Sequence, residues 1–294
     1  MTSQLTTDDV LRGVDLSGRT AVVTGASSGL GVETARALTA AGCHVLVAVR
    51  DVAKARRVVS AENDVVAVDL ADLDSVRAAA PSIAEKLPRI DIVVNNAGVM
   101  ASPLSRTAQG FEMQLGTNHL GHFVFTSWLT PNLAEGARIV NLSSDGHQIS
   151  GMIWDDPNFT DESRYDKWLA YGQSKSANVL FTLGLHSRLA DRGVQAFAVH
   201  PGVIPTELSR HLGPSDFSGL GNLELTDVAH GAATSVWAAT APDLAEHGGA
   251  YLSDCAVGLA APHATDPGDV ERLWEWSQRL TEPWSRADAT SRLG

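Results

Sequence analysis

The chain has 294 residues, 44% of them hydrophobic and 19% charged, the balance of an ordinary globular enzyme rather than of a disordered or fibrous chain. Its 22 basic and 34 acidic residues give a net charge of −12 and form no basic cluster able to track a phosphate backbone, so nucleic acid is not an expected partner. The start, from Met1 to Asp9, lacks both a basic stretch and an apolar run, and no segment of about 18 apolar residues occurs; a cytoplasmic protein without a membrane anchor is expected.

Residues 1–17 read as an N-terminal extension and residues 18–294 as one domain that includes a C-terminal helix. Short β-branched runs then alternate with longer helical patterns, the signature of parallel strands joined by crossover helices. Strands are expected at Thr20–Thr24, His44–Val49, Asp64–Asp69, Ile90–Asn95, Ala137–Ser143, Val194–His200 and Ala250–Asp254. Most are near-continuous apolar runs, as a sheet covered on both faces requires. Helices are expected at Leu30–Ala41, Val52–Ser60, Leu73–Leu87, Gln109–Thr130, Tyr171–Arg192, Leu225–Thr240 and Asp269–Leu280. The fold class is therefore α/β, doubly wound, with a seven-stranded parallel sheet. Cys43 and Cys255 lie far apart, each in an expected strand or strand edge, and neither a disulfide nor thiol chemistry is expected.

Where the first strand meets the first helix, Thr24-Gly25-Ala26-Ser27-Ser28-Gly29-Leu30-Gly31 carries glycines in the order G-x-x-x-G-x-G. Glycines permit a tight turn and let backbone N–H groups approach a pyrophosphate at a helix N-terminus, so a dinucleotide is the expected ligand. The second strand ends in Val49 followed by Arg50, where an acid would suit NAD and an arginine suits a 2′-phosphate. NADP is therefore expected ahead of NAD; the rival is that Arg50 pairs with Asp51 or the following helix. Asp69 and Leu70 close the third strand, with Asp69 either accepting from an adenine amino group or, like Asp72, capping the next helix. Two long connections, Gly146–Leu169 and Gly202–Glu224, are candidate functional loops. Further on, Tyr171 and Lys175 stand four residues apart on one helical face, where the ammonium would favour the phenolate and lower the phenol pKa. An exposed tyrosine beside a solvated lysine would show the same spacing.

From about residue 18 to 255 the chain resembles the short-chain dehydrogenases/reductases. The resemblance rests on the glycine turn, Asn95-Asn96-Ala97-Gly98, Asn118 in Thr117-Asn118-His119-Leu120-Gly121-His122-Phe123, Ser144 in Asn141-Leu142-Ser143-Ser144, the Tyr171/Lys175 pair, and His200-Pro201-Gly202 leading to Thr206. The wording is most similar to the retinol dehydrogenase and WW-domain oxidoreductase branch and its soluble bacterial relatives. That resemblance implies a Rossmann-type fold and hydride transfer between a nicotinamide and a carbonyl or alcohol. It implies Tyr171 as acid/base, Ser144 holding the substrate oxygen, Lys175 on the nicotinamide ribose, and Asn118 ordering a water that links the lysine to solvent. Ser143 is the rival for Ser144, but strand alternation turns the two to opposite faces and the family pattern favours the second. The cofactor is expected against Gly25, Ser27, Ser28, Gly29, Leu30, Gly31, Arg50, Asp69, Leu70, Asn96, Ala97, Gly98, Tyr171, Lys175, Pro201, Gly202, Val203 and Thr206, the last reaching the carboxamide.

The 27 positions from Ser144 to Tyr171 are about twice the separation of shorter members, so residues 147–169 read as an insertion. Such an insert near subunit-contact helices points to a monomer or dimer rather than a tetramer. Met152, Trp154, Phe159 and Trp168, with Leu208, Leu212, Phe217 and Leu220, are candidate walls of an apolar pocket for a small-molecule substrate. No metal is expected: His119 and His122 are spaced as ligands can be, and Asp155, Asp156, Asp161 and Glu162 are acidic, but no coordinating set closes. Trp274, Trp276 and Trp284 read as core anchors of the last helix. Reduction of an activated C=C bond and a nucleotide sensor without turnover are the alternative functions; the intact Ser144, Tyr171 and Lys175 argue against the sensor.

Overall fold

Strands made almost wholly of apolar residues must be covered on both faces. The computed structural model, which describes residues 5–213, 216 and 225–286, meets that demand with one eight-stranded sheet. Its strands are β1 (Thr20–Thr24), β2 (His44–Val49), β3 (Asp64–Ala67), β4 (Ile90–Asn95), β5 (Leu133–Leu142), β6 (Gln195–His200), β7 (Tyr251–Ser253) and β8 (Ala256–Val257). They lie in the order β3-β2-β1-β4-β5-β6-β7-β8, and the reversal beside β1 marks the crevice where such sheets bind ligands. Seven strands are parallel, and β8 pairs antiparallel with β7. The expected count of seven is thus corrected to eight. Asp254 and Cys255 both adopt left-handed φ angles, 52° and 53°, and close a two-residue hairpin of the kind usually built on Asn-Gly. Cys255 therefore sits in a tight turn rather than at a strand edge.

The helices are α1 (Thr7–Val10), α2 (Gly29–Ala40), α3 (Val52–Ala55), α4 (Leu73–Lys86), α5 (Met113–Leu115), α6 (Gly121–Leu129), α7 (Lys167–Leu189), α8 (Val228–Thr240) and α9 (Pro267–Thr281). Side chains alternate along each strand, so Val45, Val47 and Val94 pack with Leu38 of α2 and Val236 of α8. Leu46, Val93 and Ile139 face the opposite way, toward Ile83 of α4, Phe125 of α6, Phe181 of α7 and Trp274 of α9. Trp274 is a core residue as expected, stacked on Phe181, and Trp128 donates to the carbonyl of Trp284. The N-terminal stretch also docks: Leu11 and Leu16 join the core beneath α2 and α8.

Two expected helices differ. The first stops at Ala55 rather than Ser60, and the amides of Val58 and Val59 both turn back to the Ala55 carbonyl. The second, expected unbroken over Gln109–Thr130, is divided into α5 and α6 by a π turn, Gly116–Leu120, that contains Asn118. Such widened turns recur at functional sites.

Most of the helices that start from a loop carry a side-chain cap. Asp51, Asp72, Asp166, Asp227 and Asp266 each accept a first-turn amide of α3, α4, α7, α8 and α9 respectively. Ser28, at the start of α2, makes no side-chain cap bond, which leaves the first N–H groups of that helix for another acceptor.

Candidate active site

Three glycines between β1 and α2 do different work. Gly25 has φ +71°, and a Cβ there would lie 2.8 Å from the Ala97 Cα; Gly29 has φ +55°. Gly31 is demanded by packing, since a Cβ would stand 2.6 Å from Asn96 Nδ2 and 2.7 Å from the Gly25 carbonyl. Thr24 Oγ1 accepts the amides of Asn96 and Ala97 at 2.9 and 3.0 Å, and Asn96 Nδ2 donates to the Thr24 carbonyl at 2.8 Å. The Asn96-Ala97-Gly98 strand end is thereby stitched to the turn, with Ser27, Ser28 and Leu30 half-buried on its rim. A side-chain-free cradle below an uncapped helix N-terminus fits a pyrophosphate.

Arg50 is exposed at the end of β2 and forms no ion pair among the described residues. The rival pairing with Asp51 is not formed, because Asp51 accepts the Lys54 amide as the cap of α3. Asp69 Oδ1 accepts the Ala71 amide at 2.9 Å in a turn, while Asp72 takes the capping role on α4. Leu70 is buried, with its carbonyl pressed against Gly121. After β6 come Pro201, Gly202, with φ +87°, and Val203, which bridges to Leu225. Thr206 then folds over the glycine turn: its methyl would lie 3.0 Å from a Cβ at Gly29. Glu207 pairs with Lys54 at 2.5 Å and hydrogen-bonds Ser28, tying this segment to α3.

Ser143 and Ser144 point opposite ways at the end of β5. Ser143 Oγ donates to the Lys175 carbonyl at 2.9 Å and is buried. Ser144 Oγ accepts the Gly146 amide at 3.1 Å and hydrogen-bonds the Tyr171 phenol. Gly146 allows that approach, since a Cβ there would meet Tyr171 Cε1 at 2.6 Å. One turn along α7, Lys175 Nζ stands 5.6 Å from the Tyr171 ring centroid and donates to the Leu142 carbonyl at 3.0 Å. Asn178 Nδ2 shares that carbonyl at 2.9 Å. Asn118 donates to the Val99 carbonyl and Ser174 Oγ, accepts the Val99 amide, and gives its own carbonyl to His122 Nδ1. Ser144, Tyr171, Lys175 and Asn118 are therefore gathered in one place, beside the glycine turn.

The expected direction of the tyrosine tuning is reversed. Tyr171 is buried, and loss of water around the phenolate pushes its pKa up to about 12 against the lowering effect of Ser144. The same burial takes Lys175 down to about 8. Loss of water therefore sets the direction for both groups.

Most of the aromatic wall expected from the insert is structural. Met152 and Trp154 pack on Leu115, Ala177, Leu180 and Leu273, and Trp154 Nε1 donates to Asp269. Phe159 stands edge-to-face on Tyr165, 5.2 Å away. Trp168 alone of the four lies beside Tyr171, with ring centroids 6.4 Å apart. Leu208 and Leu212 are half-buried, and Phe217 and Leu220 lie outside the described residues. His119 bonds Ser277 and His122 bonds Thr24, both deep in the core, with burial lowering their pKa values to about 3 and about 4. Asp155 pairs with Arg164, and Asp156 takes the Thr160 and Asp161 amides. Sequence reasoning misses Thr24, Ser174 and Asn178; being adjacent to Gly25 or within one turn of Lys175 was their available signal.

A family model described as Enoyl-(Acyl carrier protein) reductase matches residues 25–253. Retinol dehydrogenase 12 of Homo sapiens is 42% identical over 280 residues, spanning 91% of this chain and 87% of the relative. The short-chain dehydrogenase/reductase prx1 of Penicillium roqueforti is 35% identical over 287 residues, 88% of this chain and 84% of its own. Among solved structures, an uncharacterized protein from Mycobacterium Paratuberculosis superposes with a TM-score of 0.77 at 36% identity, covering 95% of this chain and 97% of that one. A short chain dehydrogenase from Burkholderia cenocepacia J2315 in complex with NADP gives 0.66 at 26% identity, over 81% and 96%.

Proposed function

Because the chain belongs to the short-chain dehydrogenase/reductase family, we propose that it transfers a hydride between NADP(H) and the carbon of a carbonyl or alcohol, with Tyr171 as acid/base. The observation that carries this reading is the Ser144–Tyr171 hydrogen bond with Lys175 one turn behind it, at the carboxyl edge of the sheet beside the glycine cradle. When bound, the nicotinamide supplies the hydride in reduction and accepts it in oxidation. Gly25, Ser27, Ser28, Gly29, Leu30 and Gly31 hold the pyrophosphate, chiefly through backbone N–H groups, and Asn96, Ala97, Gly98, Pro201, Gly202, Val203 and Thr206 line the rest of the site. Ser144 and Tyr171 hold the substrate oxygen, and in reduction Tyr171 gives that oxygen its proton. Donors preplaced where negative charge develops lower the barrier. A phenol pushed up to about 12 stays protonated through the neutral range, the form that reduction uses. Oxidation draws instead on the phenolate.

The free, exposed guanidinium of Arg50 supports NADP over NAD. Arg50→Asp is expected to raise the KM for NADPH on the order of 10²-fold, as loss of a charge-assisted contact does, and to improve NADH relative to NADPH. An unchanged preference in paired NADPH and NADH kinetics removes Arg50 from the site.

For substrate, Trp168 beside Tyr171 and the exposed Ile149 and Leu169 support a small apolar molecule. The description of the matching family model favours one second reading, reduction of an activated C=C bond. A panel of apolar ketones, aldehydes and enones with NADPH separates them by product. An alcohol is expected; a saturated ketone with its carbonyl intact would transfer the proposal to the second reading. The insert lies against α7 and α9, which supports a monomer or dimer rather than a tetramer. No helix among the described residues is long and apolar enough to cross a membrane.

A further inference from the structure

His147 follows Ser144 by three residues in the turn Asp145–Gln148, and its side chain is inaccessible to solvent. Its two ring nitrogens meet partners of opposite kind. Nδ1 lies 2.6 Å from the Ser144 carbonyl, and Nε2 lies 2.9 Å from the backbone N–H of Ala261. A backbone N–H only donates, so Nε2 must be bare and the ring proton sits on Nδ1, aimed at Ser144. The ring also packs on Tyr251, centroids 4.8 Å apart. The His147 carbonyl accepts from Ser176 on α7 at 3.0 Å and lies 2.9 Å from His263 Nε2. The side chain thus joins the serine to the segment after β8, and the backbone carbonyl of the same residue ties it to the helix that carries Tyr171 and Lys175.

We propose that His147 is a positioning residue: the Ala261 amide fixes its tautomer, and the resulting Nδ1–H holds the Ser144 backbone so that Oγ stays on the Tyr171 phenol. The inference rests on the roles proposed above for Ser144 and Tyr171. Protonation of Nε2 would set one N–H against another and release the clamp. The groups facing the ring are Asp145 on its own turn, Tyr251 on β7, His200 on β6 and His263 after β8. Burial holds the imidazole below its usual value, outweighing the raising effects of the Ser144 carbonyl and of Asp145, so the clamp persists at neutral pH and is lost on the acid side.

The test uses the full chain in two arms. In ¹H–¹⁵N spectra of the imidazole nitrogens, assigned by the signal that disappears in His147→Asn, a protonated Nδ1 and a bare Nε2 are expected; a protonated Nε2 overturns the proposal. With NADPH and decanal, His147→Ala is expected to lower kcat about 30-fold at unchanged NADPH Kd, but by less than about two-fold in a Ser144→Ala background. Equal losses in both backgrounds would mean a merely structural role and overturn the proposal. Should His147→Ala not fold, Asn, whose amide N–H can replace Nδ1–H, is expected to retain more kcat than Gln, whose amide reaches the Nε2 position instead; the reverse order counts against the clamp. A wild-type protein that binds NADPH but reduces none of the carbonyl panel defeats the parent reading, and the tautomer arm then decides the clamp alone.

Discussion

Tyr171→Phe is expected to cut turnover about 10³-fold while leaving NADPH affinity within about two-fold, because a positioned general acid contributes roughly 10²–10⁴. The substitution removes one oxygen and keeps the ring, which Gly146 and Trp168 still flank. The cofactor cradle is built from other elements, so fluorescence titration with NADPH isolates binding from chemistry. Ser144 keeps its bond from the Gly146 amide and stays in place to hold the substrate oxygen, which is why some rate should survive. The pH dependence follows from the buried phenol. With a pKa near 12, Tyr171 is protonated across the neutral range, so it imposes no limb on reduction below that value. Oxidation draws on the phenolate and should rise with pH over the same range. A Phe variant within ten-fold of the wild-type rate would take the acid/base role away from Tyr171.

What could be read from the chain in advance divides along a physical line. Gly25, Gly29 and Gly31 are legible because a positive φ or a backbone contact under 3 Å leaves no other residue a place. The seven parallel strands are legible because burial on both faces removes polar residues from them. The eighth strand is not, since Asp254 and Cys255 carry no local signal for the left-handed turn that the surroundings impose. The π turn at Gly116–Leu120 is hidden for a related reason: the helical pattern continues through it, and only the placement of Asn118 against Val99 and Ser174 reveals it. Spacing places Tyr171 and Lys175 on one face but says nothing of how much water each loses. That loss, a property of the whole fold, reverses the tyrosine shift. Trp154 of the insert fails as a pocket wall because apolar side chains pack wherever a surface waits, and α9 supplies one for it.

Lys175→Met should make the protein more stable and nearly inactive, the combination expected of a charge kept buried for chemistry. Folding holds the ammonium at about 8 instead of its ordinary 10.5, so the unfolded chain binds that proton more tightly. At about 1.4 kcal/mol per unit, the penalty at pH 7 is on the order of 3 kcal/mol. It is complete below pH 8, shrinks as pH rises from 8 to 10.5, and is gone above that range. Methionine carries no charge and fills a similar volume. The bond to the Leu142 carbonyl is lost at a cost of about 1 kcal/mol, but Asn178 still donates to that oxygen and no buried acceptor is orphaned. The balance is a gain of about 2 kcal/mol at pH 7, or about 3 °C in Tm for a chain of this size. Denaturant unfolding of both proteins at pH 7 and pH 9 separates this from a packing effect. The advantage of the variant should shrink by about 1 kcal/mol between those values, because the wild type is relieved of its charge there. Cys43, which burial raises to about 12, and Tyr171 lose stability at higher pH in both proteins and cancel in the difference. A gain in stability independent of pH would place the effect in packing, and a loss of stability would show that the buried ammonium is held by more than the Leu142 carbonyl.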